Sequence, residues 1–312
     1  MPADLKGGDA QTGWAVTGRS MTPSHTRRTL LLGAASATAA SACLGSRRAS
    51  AEAPDRLAEL ETAIGGRIGV AGLNTGTGAT VSHRADERFP FCSTFKLLAV
   101  SAILARSATD RGLLDQQIDY TERDLAKYSP ITRQHAGEGM TVAAICAAAL
   151  QYSDNTAANL MIRLLGGPDA VTSFARSIGN KTFRLDRWET ALNEAVPGDP
   201  RDTVTPAAMM ADLRRATLGD LFGAPERDQL VAWMRGCTTG LKRIRAAVPA
   251  EWLVADKTGS GDYGTANDIA VIWPPGKAPI VLAVYSTQGG KDAPVRDDVV
   301  ATAAKIALDV LG

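Results

Sequence analysis

Hydrophobic and polar positions change their period several times along this chain, and each change predicts an element. The first feature is an apolar run from Leu30 to Leu44, directly after the basic segment Thr26-Arg27-Arg28-Thr29. A membrane-spanning helix needs about 20 apolar residues, so this run is too short for a stable membrane span. A basic start, a short apolar centre and small residues behind it read as an export signal. The paired arginines give it a twin-arginine character. Ala49-Ser50-Ala51 is a small-residue cleavage site, which makes residues 1–51 signal and leader. A competing reading takes Ala40-Ser41-Ala42-Cys43 as a lipoprotein box with Cys43 as lipid acceptor, and Met21 is an alternative start.

Pro54–Ile64 places Leu57, Leu60 and Ile64 on one helical face, and Gly65-Gly66 stops the helix. Arg67–Leu73 and Thr80–Arg84 read as strands joined by the turn Asn74–Ala79. From Ser93 to Gly240 the spacing is helical and rich in Ala and Leu, with breaks at Gly166-Gly167-Pro168 and Gly179-Asn180. Within it, Asp186–Asp202 loses all periodicity and holds Pro197, Gly198 and Pro200. A compact irregular loop among helices is more often functional than decorative. Strand character returns at Trp252–Lys257, Asn267–Trp273 and Ile280–Ser286. Pro294 then opens a last helix with Val295, Val299, Ala303, Ile306 and Val310 as its buried face. Strands, helices, then strands and a helix again predict an α+β fold. Residues 52–88 and 241–312 form a discontinuous α/β domain, and residues 89–240 an inserted helical domain that includes the loop. A cleft between them is the default place for a site.

Charge adds an exclusion. Among 312 residues, Lys+Arg is 34 and Asp+Glu is 33, a net charge of +1. Removal of residues 1–51 makes the remainder mildly acidic, so nucleic acid is not an expected partner. The histidines are His25, His83 and His135, with no HxH or HExxH, and there is no CxxC; zinc chemistry is not expected. Cys43, Cys92, Cys146 and Cys237 are too scattered for a disulfide scaffold.

The candidate chemistry begins at Ser93-Thr94-Phe95-Lys96. Positions i and i+3 share a helix face, so Ser93 has the Lys96 amine in reach and a positive helix end beneath it. Alone, the pair reads equally as a capping serine with a solvated lysine. Ser153-Asp154-Asn155 and Lys257-Thr258-Gly259 then follow in order, and this ordered set is a signature of class A β-lactamases and penicillin-binding proteins. The sequence resembles the class A serine β-lactamases over about residues 55–312. The resemblance extends through Ser153-Asp154-Asn155-Thr156-Ala157-Ala158-Asn159, Leu185-Asp186-Arg187-Trp188-Glu189-Thr190-Ala191-Leu192-Asn193-Glu194 and Lys257-Thr258-Gly259-Ser260-Gly261-Asp262-Tyr263-Gly264.

That resemblance implies a β-lactamase/transpeptidase-like fold, an antiparallel sheet flanked by helices. It also implies a monomeric enzyme that needs no cofactor and no metal, with β-lactam antibiotics as small-molecule partners. In the family pattern Ser93 is the nucleophile, Lys96 or Glu189 its base, and Ser153 the donor to the lactam nitrogen, relayed from Lys96 or Lys257. The backbone amides of Ser93 and Ser260 form the oxyanion site. Glu189 and Asn193, one helical turn apart, hold the hydrolytic water, and this pair separates a β-lactamase from a D-alanyl-D-alanine carboxypeptidase or an idle penicillin-binding sensor. Thr258, Gly259 and Ser260 line the substrate side, Asn155 meets the acylamide group, and Tyr128 forms an aromatic wall. Where many members carry an Arg for the substrate carboxylate, Ala266 stands here; Arg243 and Arg296 match compensating positions, and either guanidinium would fork onto a carboxylate. Arg187 and Asp202 match an ion pair that closes the loop. Thr190 replaces a frequent Pro at a position where the family has a cis peptide. Two family disulfides cannot form, because the partners of Cys146 and Cys92 are Val100 and Gly261 here. Lys96, close to Lys257, is expected to have a depressed pKa from burial and like charge.

Overall fold

The computed structural model describes residues 52–312 and, before them, Gly13 alone. The candidate export signal, its cleavage site and Cys43 lie outside the described residues. The first described helix, α1, covers residues 52–64 and buries Leu57. It leads into β1 (Gly66–Asn74) and β2 (Thr80–His83). The turn between them is fixed by Asn74, whose side-chain oxygen accepts from the backbone of Gly76 at 2.9 Å and Thr77 at 3.0 Å, the turn chemistry for which Asn is favoured.

A helical region follows: α2 (Lys96–Ser107), α3 (Val142–Gln151), α4 (Asn155–Leu165), α5 (Pro168–Ser177), α6 (Pro206–Thr217) and α7 (Ala224–Arg235). Gly166 and Gly167 take φ of 105° and 112° between α4 and α5, a backbone region open to glycine, and Pro168 starts the next helix. The region is not purely helical. β3 (Phe89–Pro90) pairs with β6 (Thr203–Val204), and β4 (Gln117–Ile118) with β5 (Met140–Thr141). These two-residue pairings are too short to leave a period-2 signature in the sequence.

The chain then returns to the sheet through β7 (Leu253–Gly261), β8 (Thr265–Trp273) and β9 (Ile280–Gln288), and ends in α8 (Asp297–Leu311). The sheet order is β2-β1-β9-β8-β7, with every neighbour antiparallel. Alternation along the strands gives the sheet two apolar faces. Ile68, Val70, Ala270, Ile272, Leu282 and Val284 pack with α1 and α8 in one core; Ile269, Val271, Val281, Ala283 and Tyr285 join the helical region in another.

β8 starts two residues before the expected Asn267 and β9 ends two past Ser286, and two further differences bear on the site and its surroundings. β7 runs to Gly261, past the expected Lys257, and so carries Lys257-Thr258-Gly259-Ser260 as sheet edge. The last helix starts at Asp297, and Val295 is 43% exposed rather than part of its buried face. Pro294 accepts at its carbonyl from Gln288 Nε2 at 2.7 Å and belongs to the incoming loop. Asp297 and Asp298 occupy the first turn, where carboxylates complement the helix dipole. No helix among the described residues is long and apolar enough to cross a membrane.

Candidate active site

Ser93 sits in a 3-10 turn, Cys92–Phe95, that runs straight into α2. Cys92 holds φ at 46°, an uncommon backbone region for a non-glycine residue, and so turns the chain sharply before the serine. The cysteine itself is fully buried, and burial pushes its thiol pKa up, as expected of an inert apolar filler. Cys92, Cys146 and Cys237 are all free and buried. The turn is backed by β7. A Cβ added at Gly259 would lie 2.7 Å from Phe91 O and 3.1 Å from Ser93 N; one at Gly261 would lie 2.5 Å from Asn193 O. Only glycine lets the edge strand approach both the serine turn and the loop this closely.

Lys96 is fully buried at the start of α2. Its Nζ lies 2.9 Å from Ser93 Oγ, 2.8 Å from Ser153 O, 2.7 Å from Asn155 Oδ1 and 3.1 Å from Glu189 Oε1. With Ser153 Oγ these make five acceptors for the three protons of an ammonium, so they cannot all be served at once. Burial pulls the Lys96 pKa down, and the Glu189 carboxylate partly offsets that. The like-charge effect falls on Lys257 instead: burial and then the Lys96 charge bring it down to about 7. Lys257 donates to Ser153 Oγ at 2.9 Å. Ser153 therefore stands between two amines, with Lys96 Nζ 3.5 Å from the same oxygen.

Ser153 takes φ of 58°, and the next residue caps α4. The buried Asp154 carboxylate accepts from Ala157 N (2.9 Å), Ile131 N (3.0 Å), Thr132 N (2.9 Å) and Thr132 Oγ1 (2.8 Å). It satisfies an orphan donor of the helix and ties the facing loop to it. Asn155 donates through Nδ2 to Lys127 O at 2.9 Å, and its backbone N–H to Tyr128 O at 3.1 Å. Tyr128 is thereby held at φ 64° with its ring 57% exposed on the cavity wall.

The loop Asp186–Asp202 supplies the opposite wall. Asp202, 1% exposed, accepts from Arg187 Nε at 2.5 Å and from the backbone of Asp186 at 2.8 Å and Arg187 at 3.1 Å. Asn159 clamps the loop to α4, accepting from Glu189 N at 2.9 Å and donating to Glu189 O at 3.0 Å. The Glu189–Thr190 peptide bond is cis. Glu189 Oε1 lies 3.3 Å from Ser93 Oγ, and Oε2 accepts from Asn193 Nδ2 at 2.6 Å. The Asn193 Oδ1 atom is buried without a partner among the described residues.

Ser93, Tyr128, Ser153, Asn155, Asn193, Thr258, Gly259, Ser260 and Arg243 all line one cavity of about 380 Å³, and Lys96, Glu189 and Lys257 stand behind it. Arg296 does not line it: its guanidinium is bidentate on Asp298 at 2.8 and 2.6 Å, on the surface. Arg243 lines the cavity without an open fork. Nε donates to Asp297 at 2.7 Å, Nη1 to Gly259 O and Asn267 O at 2.7 Å each, and Nη2 to Ser260 Oγ at 2.7 Å. One N–H remains, so bidentate capture of a ligand carboxylate is ruled out while these bonds hold; the residue offers charge and holds Ser260. Sequence reasoning assigned no role to Thr239, Asn159 or Asp154. Thr239 lines the cavity with its hydroxyl 2.5 Å from that of Thr258, and nothing in the sequence marks it. Asn159 stands at i+4 from Asn155, a spacing that could have drawn attention to it.

Comparison with known proteins agrees with this geometry. Residues 52–311 match the model of the beta-lactamase enzyme family. Beta-lactamase AST-1 of Nocardia asteroides is 54% identical over 84% of this chain and 85% of its own. The carbapenem-hydrolysing beta-lactamase KPC of Klebsiella oxytoca is 56% identical over 82% and 87%. A crystal structure of a β-lactamase from Desulfarculus baarsii superposes with a TM-score of 0.83 at 56% identity, covering 84% of this chain and 98% of that one. An ordered serine, two buried lysines and a loop carboxylate around one cavity, on this fold and with these relatives, make the chain a member of the beta-lactamase enzyme family, a class A serine hydrolase.

Proposed function

We propose that this enzyme opens the lactam of penicillins and cephalosporins on Ser93 and releases the product with water directed by Glu189. The observation that carries the reading is the contact of Glu189 with both halves of the reaction: Oε1 lies 3.3 Å from Ser93 Oγ, and Oε2 is held by Asn193. In acylation the Ser93 proton passes to Lys96 or Glu189, and the hydroxyl oxygen attacks the strained carbonyl. The developing oxyanion is met by the backbone amides of Ser93 and Ser260. As the ring opens, Ser153 gives its proton to the nitrogen and is refilled from Lys96 or Lys257. The ester is then attacked by a water gripped between the Glu189 carboxylate and the Asn193 amide; the buried, unpartnered Asn193 Oδ1 supports that grip. Thr258, Ser260, Thr239 and the charges of Lys257 and Arg243 receive the substrate carboxylate. Residues 52–88 and 241–312 act as one lobe and 89–240 as the other, with the cavity between them. Residues 1–51 export the enzyme, which acts as a monomer.

Glu189→Ala tests this. Lys96 then loses its counter-charge, its pKa falls further, and it can still serve as base for acylation. Hydrolysis of benzylpenicillin is expected to fall about 10²–10⁴-fold, and intact-mass spectrometry to find a stable adduct of enzyme plus one penicillin. Unchanged turnover with no adduct would remove Glu189 from the mechanism.

A further inference from the structure

Behind the loop lies a second cavity, of about 330 Å³, that the hydrolytic chemistry does not use. Residues 195–200 form one wall, and the start of β1 and the end of β9 the other. Pro90, Val196 and Pro197 give it an apolar lining, and Val196 is 40% exposed. Its charged lining residues are Arg67, Arg88 and Asp199, and they are not equally compensated. Asp199 is held by Arg201, with Nε 3.1 Å from Oδ1 and Nη2 2.7 Å from Oδ2. Arg67 donates to Glu87 at 2.6 Å and lies over the Phe89 ring at 4.4 Å. Arg88 donates through Nη1 to Thr182 O at 2.6 Å and to Thr203 Oγ1 at 3.0 Å, so its guanidinium is fixed in place. Among the described residues no carboxylate forms an ion pair with it. Its side chain is exposed to solvent; partial burial and the guanidiniums of Arg184 and Arg176 lower its pKa, and the Asp186 carboxylate offsets this in part.

We infer that this cavity binds a small organic monocarboxylate with a flat apolar body. The carboxylate sits on the free Nε and Nη2 edge of Arg88, and the body lies against Pro90, Val196 and Pro197. One unpaired cation matches one negative charge. A fixed guanidinium loses little freedom on forming a forked pair. The volume lies at the lower end of the range for small-molecule sites, and an apolar lining with few polar groups is their usual make-up. The ligand touches the stretch that directly follows Asn193 and Glu194, so it favours one arrangement of the loop and shifts hydrolysis through it.

The test is an amide NMR titration of the purified protein with 2-naphthoate. Saturable shifts are expected at residues 195–200 and at the start of β1. Arg88→Gln should weaken that binding at least about tenfold, while nitrocefin hydrolysis without 2-naphthoate stays within about twofold. Val196→Trp, which fills the cavity from an exposed position, should abolish the same shifts and serves if Arg88→Gln does not fold. Saturating 2-naphthoate should change the hydrolysis rate of the unmodified enzyme at least about twofold. Shifts confined to Ser93, Ser260 and Arg243, or an affinity untouched by both variants, would overturn the site. Binding at the site with an unaltered rate would overturn its coupling to the loop. The shifts are read without turnover, so the test of the site does not depend on the catalytic roles proposed above; only the test of its coupling reads the hydrolysis rate.

Discussion

The two walls that face Ser93 are built on different principles. The wall that carries Ser93 consists of regular elements: a 3-10 turn entering α2, the capped start of α4, and the edge strand β7. Lys96 and Lys257 are fully buried there, and their amines are tied to hydroxyls and backbone carbonyls. The loop wall has no regular element beyond the short turn Ala191–Asn193. It is shaped by charged contacts, chiefly Arg187 to Asp202 and Arg187 Nη1 to Glu194 at 2.5 Å, and by the Asn159 clamp. Apart from Glu189, the alternative base for acylation, the groups assigned to making the ester therefore sit on the scaffold. The group assigned to directing water sits on an element that depends on a few side chains. The two half-reactions should be separable by mutation.

The sharpest break is Ser93→Ala. It removes the proposed nucleophile from a turn whose backbone bonds remain, so nitrocefin hydrolysis should fall by at least about 10⁴-fold with no covalent adduct. Steady-state rates and intact mass read this, and residual turnover within about tenfold of the parent would end the serine mechanism. On the other wall, Arg187→Ala leaves the Asp202 carboxylate, 1% exposed, with backbone donors alone. Breaking a buried pair costs about 3–5 kcal/mol; Arg187 itself is 14% exposed, which favours the lower end. Urea unfolding measures the loss, and a burst of nitrocefin hydrolysis followed by a slow phase would locate the kinetic defect in deacylation. A single slow exponential with no burst would instead place the defect in acylation and contradict the division of labour.

A smaller effect comes from pH. Lys257 has a pKa near 7 in the folded protein against an ordinary 10.5. Its charge is present below pH 7 and lost above it. The KM for an anionic penicillin should therefore rise as pH increases from 6 to 9, by at most about tenfold per unit, and Lys257→Arg should flatten that rise. Between pH 7 and 10.5 the unfolded chain binds the proton that the folded chain has released, so this group's contribution to stability is lowest below pH 7 and increases across that window. Urea midpoints at pH 7 and 9 test the sign. The smallest contrast separates the two candidate arginines. Arg243→Ala removes the support of Ser260 and should raise KM about tenfold, whereas Arg296→Ala, which loses only an exposed pair with Asp298, should stay within about twofold.

Much of the fold was legible because burial leaves a period. Strands with alternating or continuous apolar positions and the helices α1 and α8 stood out near their observed places. The boundaries that moved are those set by neighbours. β7 continues past Lys257 because Gly259 and Gly261 fit against Phe91, Ser93 and Asn193. Val295 is apolar yet exposed because it lies in the incoming loop, ahead of α8, which starts at Asp297. The site was legible through motifs, whose spacing records which side chains share a turn or a strand. Thr239 had no such mark: its meeting with Thr258 depends on the path of the chain between α7 and β7.

The sequence by itself determined which chemical groups are available; local spacing put Ser93 within reach of Lys96, and the resemblance to the family paired Glu189 with Asn193. Only the tertiary structure decided how these pairs meet: that Lys96 has five acceptors for three protons, that the stronger like-charge effect falls on Lys257, and that the fork of Arg243 is already engaged while that of Arg88 is not. Charge and hydrogen-bond capacity are shared among whatever groups folding brings within a few ångströms, and most of those groups are distant in the chain.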